Sequence, residues 1–162
     1  MGQQDSRAVA ESVIDSSRYM TLATADPDGQ PFAAPVYFSH AQYTRFYWIS
    51  APEAQHSRNL AGRPQLGIVV FDSTVPSSDA QAAYIRATAE QVADADLAEA
   101  LAAYPRPNDP EAGRMTAADV GAPGPYRMYC ATAYEVAILC PRQAGRPCAV
   151  HGTAHDHRVV VE

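Results

Sequence analysis

The chain has 162 residues and a mass of 17.4 kDa, with 47% hydrophobic and 19% charged residues, so it fits one domain spanning residues 1–162 and excludes a fibrous or wholly disordered chain. A domain of this length buries about 70% of the surface its unfolded chain exposes and needs neither a disulfide nor a metal to fold. A net charge of -6 and a pI near 5.3, with acidic side chains scattered along the chain, exclude a general nucleic-acid or anionic-lipid binder.

The first five residues are polar and lead into an amphipathic segment without a long apolar run. Neither a signal peptide nor a membrane span is expected, and the protein is expected in the cytoplasm. Residues 6–16 carry Ala8, Val9, Ser12 and Val13 on one side, which predicts a short helix with Ser6 as its N-cap, covering one end of a barrel. From Tyr19 the period changes. "YMTLATA" and "PFAAPVYF" read as two strands joined by the turn Asp26-Pro27-Asp28-Gly29. A looser turn over 40–44 leads to an aromatic strand over 45–50, and a helix is predicted over 52–61, stopped by Gly62 and Pro64.

Residues 65–72 form an unbroken apolar run, which predicts a strand buried on both faces. A loop over 73–79 separates it from a long strand over 80–92 whose wet face carries Tyr84, Arg86, Thr88 and Glu90. A helix over 94–103 ends before Pro105; a Pro- and Gly-rich surface excursion over 105–125 contains a helical turn over 116–120 capped by Thr116. Strands over 126–139 and 157–161, separated by the turn-rich "CPRQAGRP", complete the chain. These elements predict a mainly β fold, a six- or seven-stranded antiparallel β-barrel with a few short helices, closure being the economical way to remove sheet edges.

Chemistry concentrates in "SAPEAQHSRNL", residues 50–60. A helix start presents free backbone N–H groups and the positive end of the helix dipole, so this stretch can cradle an anion, with His56, Ser57 and Arg58 as extra donors. The alternative is a plain helix start at Pro52, with His56 and Arg58 on the surface. Every basic side chain is arginine, which beside so much alanine reads as compositional bias. Cys130, Cys140 and Cys148 have no CxxC spacing and read as free thiols. Cys148, His151, His155 and His157 match no compact finger, so the expectation is a solvated turn and no metal site. Neither a GxSxG elbow nor a phosphate-binding glycine-rich loop is present.

The order of "RYMTLATADPDGQPFAAPVYF", "FYWISAPEAQHSRNLAGRPQLGIVVFD" and "AAYIRATAEQV" resembles the pyridoxamine 5′-phosphate oxidase-like proteins, whose fold is the flavin-binding split barrel. The resemblance is close over residues 18–92. It implies that His56 stands where the family's lysine binds the flavin phosphate, with Ser50 and Ser57 as helpers, and that Ala34, Pro35, Val36 and Tyr37 flank the ring and ribityl chain. It also implies a homodimer with the cofactor site at the interface, completed by a strand such as residues 80–92 of the partner. Ala33 or Ala34 stands where true oxidases carry a phosphate-holding arginine, and their C-terminal tryptophan and arginine signature is missing, since the one tryptophan is Trp48. The implied activity is therefore an FMN-dependent oxidoreductase acting on an unidentified small molecule, distinct from vitamin B6 oxidation. The alternatives are a deazaflavin-dependent reductase on the same fold and a non-enzymatic flavin- or haem-binding protein.

Overall fold

A computed structural model describes residues 3–76, 80–104, 115–140, 146–148 and 151–161. Residues 105–114 of the expected excursion, 141–145 of the turn-rich segment and 77–79 of the loop lie outside the described residues.

The strands are β1 (Tyr19–Ala25), β2 (Pro31–Tyr37), β3 (Ser39–Ala41), β4 (Arg45–Ser50), β5 (Gln65–Phe71), β6 (Ala82–Gln91), β7 (Arg127–Leu139) and β8 (Arg158–Val160). They form one antiparallel sheet in the order β2-β1-β5-β6-β7-β4-β3, with β8 added to β7. All seven expected strands are present, and among the described residues β3 is a short eighth one that overlaps the segment expected to be a turn. Its pairing carries Ser39 to Tyr47 and Ala41 to Arg45, and it closes through Gln42 and Tyr43, both at positive φ.

The chain order forces the sheet to curl. The two ends of the strand order are β2 and β3, and they are joined by Phe38 alone. Seven strands laid flat would separate those edges by about 29 Å, whereas one residue spans about 3.5 Å. Phe38 is fully buried, its N–H donates to Arg18 O at 3.3 Å, and its ring lies 6.2 Å from that of Phe46. The sheet therefore wraps into a split barrel around an inner core that includes Met20, Leu22, Phe46, Trp48, Ile68 and Ile85.

The helices are α1 (Gln3–Ser16), α2 (Gln55–Gly62), α3 (Leu97–Ala102) and α4 (Ala117–Val120). The first begins three residues before the expected start, so Ser6 lies inside the helix, buried, rather than capping it. It packs on β5, β6 and β7, sends Ile14 into the inner core, and is tied to the β3–β4 turn by Asp15, which meets His40 Nε2 at 3.0 Å and accepts from Tyr43 Oη at 2.9 Å. A second core of Tyr47, Val92, Leu97, Ala100, Val120 and Met128 fills the space between the outside of the barrel and α3 and α4. Thr116 and Asp119 form a reciprocal capping box at the start of α4, as Thr116 was expected to do.

Another sequence expectation changes here. Strand β5 is not buried on both faces: Leu66, Ile68 and Val70 point inward, while Gly67 and Val69 stay half-exposed, because among the described residues no helix covers that side as α3 and α4 cover β4. The expected wet face of β6 is as predicted, with Ile85, Ala87 and Ala89 turned inward. Replacing Phe38 with alanine should cost about 3–5 kcal/mol, read from urea unfolding, because it empties the one residue that joins the two sheet edges. A loss below about 1 kcal/mol would show that the barrel closes without it.

Candidate functional site

Helix α2 starts at Gln55, three residues later than the sequence pattern suggested, because Ala51–Ala54 close a turn first, Ala54 N–H donating to Ala51 O at 3.1 Å. Its N-cap is Ala54, and no side chain caps it. The N–H groups of its first turn have no intrahelical carbonyl to meet. The helix lies across β1, β2 and β6 and is held there by polar contacts. Asn59 Nδ2 donates to Thr24 Oγ1 on β1 at 3.0 Å, Gln55 Nε2 donates to Asn59 Oδ1 at 2.8 Å, and Arg63 Nη2 donates to Pro27 O at 2.9 Å.

Of the residues singled out from the sequence, Ser50 and His56 meet. The imidazole Nε2 lies 2.7 Å from Ser50 Oγ, and both side chains are buried. Burial pushes the His56 pKa down from its ordinary value, so the ring is neutral at physiological pH. It is a hydrogen-bonding partner for Ser50, not a point charge in the manner of lysine. Ser57 is different. Its hydroxyl is buried without a hydrogen-bond partner, and the residue lines a groove of about 420 Å³ with Pro52, Arg58, Glu90, Gln91 and Tyr129. Arg58 does not simply trail into solvent: its guanidinium donates to Glu53 O and to Gln55 Oε1, the latter at 2.6 Å. The charges of Arg58 and Glu90 offset each other, so the attraction for an anion rests on the helix start and the Ser57 hydroxyl.

The β2 residues sit elsewhere. Ala34, Pro35, Val36 and Tyr37 pair with Leu22, Thr21, Met20 and Tyr19, and none of them lines this groove. Along the strand Pro35 is exposed, Ala34 and Tyr37 are half-exposed and Val36 is buried. Tyr37 is packed edge-on between Tyr19 and Tyr104. As β2 ends the strand order, its outer edge has no ladder partner among the described residues. The aromatic residues in and beside the aromatic strand are core: Phe38, Phe46 and Trp48 belong to the inner cluster and Tyr47 to the outer one. Gln91 and Tyr129 carried no sequence signal for the site, because they arrive from β6 and β7, far along the chain.

A family model described as pyridoxamine 5′-phosphate oxidase matches residues 7–133, well over half of the chain. The chain belongs to that family. No curated protein matches it. Three solved structures share the architecture of the family member described here. A haem-binding protein from Mycobacterium smegmatis is 21% identical with a TM-score of 0.64, the alignment covering 94% of this chain and 57% of that one. An FAD-binding protein from Mesorhizobium loti is 17% identical with a TM-score of 0.61 over 82% of this chain and 93% of that one. An F420 reductase is 20% identical with a TM-score of 0.53 over 78% and 94%. At such identities the likeness is one of fold.

Removing the Ser50 hydroxyl leaves a buried imidazole nitrogen unpaired, so Ser50→Ala should destabilise the protein by about 1–3 kcal/mol in urea unfolding. The lowered His56 pKa has a sign that can be followed. The unfolded chain takes up a proton at His56 near pH 6.5 while the folded chain resists it, so this contribution is complete above that pH and is lost as pH falls through and below it. Thermal unfolding of His56→Gln should therefore decline less between about pH 7.5 and about pH 5 than that of the parent. Parallel declines would remove His56 as the source.

Proposed function

We propose that the protein is an FMN-dependent oxidoreductase acting on a small molecule, with the flavin phosphate seated at the start of α2. The observation that carries this reading is the buried, partnerless Ser57 hydroxyl beside an uncapped helix start: a polar group in that state costs free energy unless a ligand completes it. A phosphate supplies the acceptors that the hydroxyl and the free N–H groups lack, which fits the donor set. Arg58 would shift from its helix contacts toward the anion, and the Ser50–His56 pair would hold the first turn of α2 in place. The bound flavin supplies the redox chemistry, while this chain binds, orients and shields it. Its relatives include proteins described as FAD-binding, F420 reductase and haem-binding, so the fold accommodates each of these ligand classes.

The ring would lie against the β2 edge at Ala34, Pro35, Val36 and Tyr37. Pro35 offers no N–H there, so its contact with the ring is through its carbonyl or its pyrrolidine surface. These residues do not line the α2 groove of the same chain. The reading accordingly includes a homodimer in which the site is completed across the interface, and it places the protein in the cytoplasm. Among the described residues no helix is long and apolar enough to cross a membrane.

Titration of the purified protein with FMN, followed by flavin fluorescence, should show saturable binding of about one flavin per chain. Ser57→Ala should weaken it by about tenfold or more, the value of a hydrogen bond to a charged group. Absence of saturation overturns the flavin reading; a Soret band in the isolated protein, or saturation with a deazaflavin instead, assigns the groove to that ligand. Light scattering of the eluted protein should give the mass of two chains, and a monomer that binds FMN with full affinity would remove the interface from the site.

A further inference from the structure

At the far end of β7 from the α2 groove, Cys140, which the sequence reading took as a free thiol, converges with three side chains that it left in a solvated turn. Cys140 and Cys148 are both buried, 3% and 5% exposed, and His151 and His157 complete a group whose ligand atoms all lie within 4.8 Å of one another. Cys140 Sγ is 3.6 Å from Cys148 Sγ, too far for a disulfide, whose sulfurs sit about 2.05 Å apart. His151 Nδ1 is 3.5 Å from Cys140 Sγ and 3.4 Å from Cys148 Sγ, and 3.0 Å from His157 Nε2.

Those separations have a meaning. Zinc binds thiolate at about 2.3 Å and imidazole at about 2.0–2.1 Å; a regular tetrahedron with such bonds has edges of about 3.8 Å between sulfurs, about 3.6 Å between sulfur and nitrogen and about 3.3 Å between nitrogens. Four of the six edges follow that order and come within a few tenths of an ångström of it, and the two between His157 and the thiols lie within 4.8 Å. Orientation agrees as well. The other ring nitrogen of His157, Nδ1, lies 3.2 Å from His155 O; as the donor there it leaves the Nε2 lone pair facing the cluster, the arrangement found around ligating histidines.

We propose that Cys140, Cys148, His151 and His157 form a four-coordinate Cys2His2 site for a zinc-type divalent cation, with a structural role. Four protein ligands leave no position open for water or substrate, which separates a structural centre from a catalytic one. The backbone is built to present them. Cys140 follows β7 and His157 precedes β8, and Cys140 N–H donates to His157 O at 2.9 Å, so the two come from facing ends of one ladder. Cys148 and His151 are brought together by backbone bonds, Gly152 N–H donating to Cys148 O at 2.7 Å and Cys148 N–H to Thr153 O at 2.8 Å, with Gly152 at φ +67, a conformation that favours glycine. Strand β8 has only three residues, in an exposed, half-buried, exposed pattern, and among the described residues pairs with β7 alone, so apolar burial anchors it weakly. A cation gripped from both strands and the turn supplies that anchor. This site is independent of the flavin reading, as it shares no residue with the α2 groove.

The test is a titration of reduced, chelator-treated full-length protein with Co²⁺ and then Zn²⁺. Cobalt should saturate at about one ion per chain, with the visible bands of a tetrahedral ion and sulfur-to-metal charge transfer, and zinc should abolish the spectrum. Cys148→Ser and His151→Ala should each weaken binding at least tenfold, while His155→Ala, which keeps the carbonyl used by His157, should bind as the parent does. Amide exchange at Cys140 and Val161 should slow on zinc addition, with β1 and β5 unchanged. A parent protein that shows no saturable tetrahedral cobalt spectrum overturns the proposal whether or not the variants fold, as does a spectrum that survives Cys148→Ser unchanged. Isolation of the unreduced protein with a Cys140–Cys148 disulfide in place of bound metal overturns it also.

Discussion

The fold turns on one short connection. Because β2 and β3 stand at opposite ends of the strand order and Phe38 alone separates them in the chain, the sheet has no flat solution. Curling brings the inward residues of β1, β4, β5 and β6 onto one another and produces an inner core from strands that are individually short. It also determines where everything else can go. One end is covered by α1, the outer side of β4 and β7 by α3 and α4, and α2 lies across β1, β2 and β6 with its start open.

Apart from Leu60, which enters the inner core, the residues that dock α2 are polar, and they divide into two groups. Asn59 bonds to both Thr24 and the half-buried Gln55, and Ser50 bonds to His56, so these groups keep partners and hold the helix. Ser57 does not, although it is as deeply buried. A helix packed by apolar contacts alone could slide along the barrel end; one tied by Asn59 to Thr24 has a single register, and that register puts Ser57 and Arg58 beside Gln91 and Tyr129. A similar division of labour appears at the other end of β7. There the short final strand adds little burial, and the convergence of two thiols and two imidazoles replaces the missing core.

Local pattern was a good guide wherever a residue's neighbours in sequence are also its neighbours in space. The hairpin of β1 and β2, the aromatic strand β4, the wet face of β6 and the capping by Thr116 are all visible in spacing and turn chemistry, and the order of three segments was enough to reveal the family. The misreadings have a common cause in long-range packing. Strand β5 looks buried on both faces because its run is apolar, but whether a second layer covers it depends on α3 and α4, which cover β4 instead. Ser6 looks like an N-cap, yet the helix starts before it and buries it.

The sequence by itself determined a mainly β barrel of this family and marked residues 50–60 as its polar junction, since period, turns and motif order are properties of adjacent residues. Only the tertiary structure decided what those residues do. It turned His56 inward onto Ser50 and left Ser57 without a partner, because the contacts of a helix face depend on which strands the closed sheet places beneath it. It likewise gathered Cys140, Cys148, His151 and His157, separated along the chain by spacings that match no known finger, because the pairing of β7 with β8 brings the ends of that segment together.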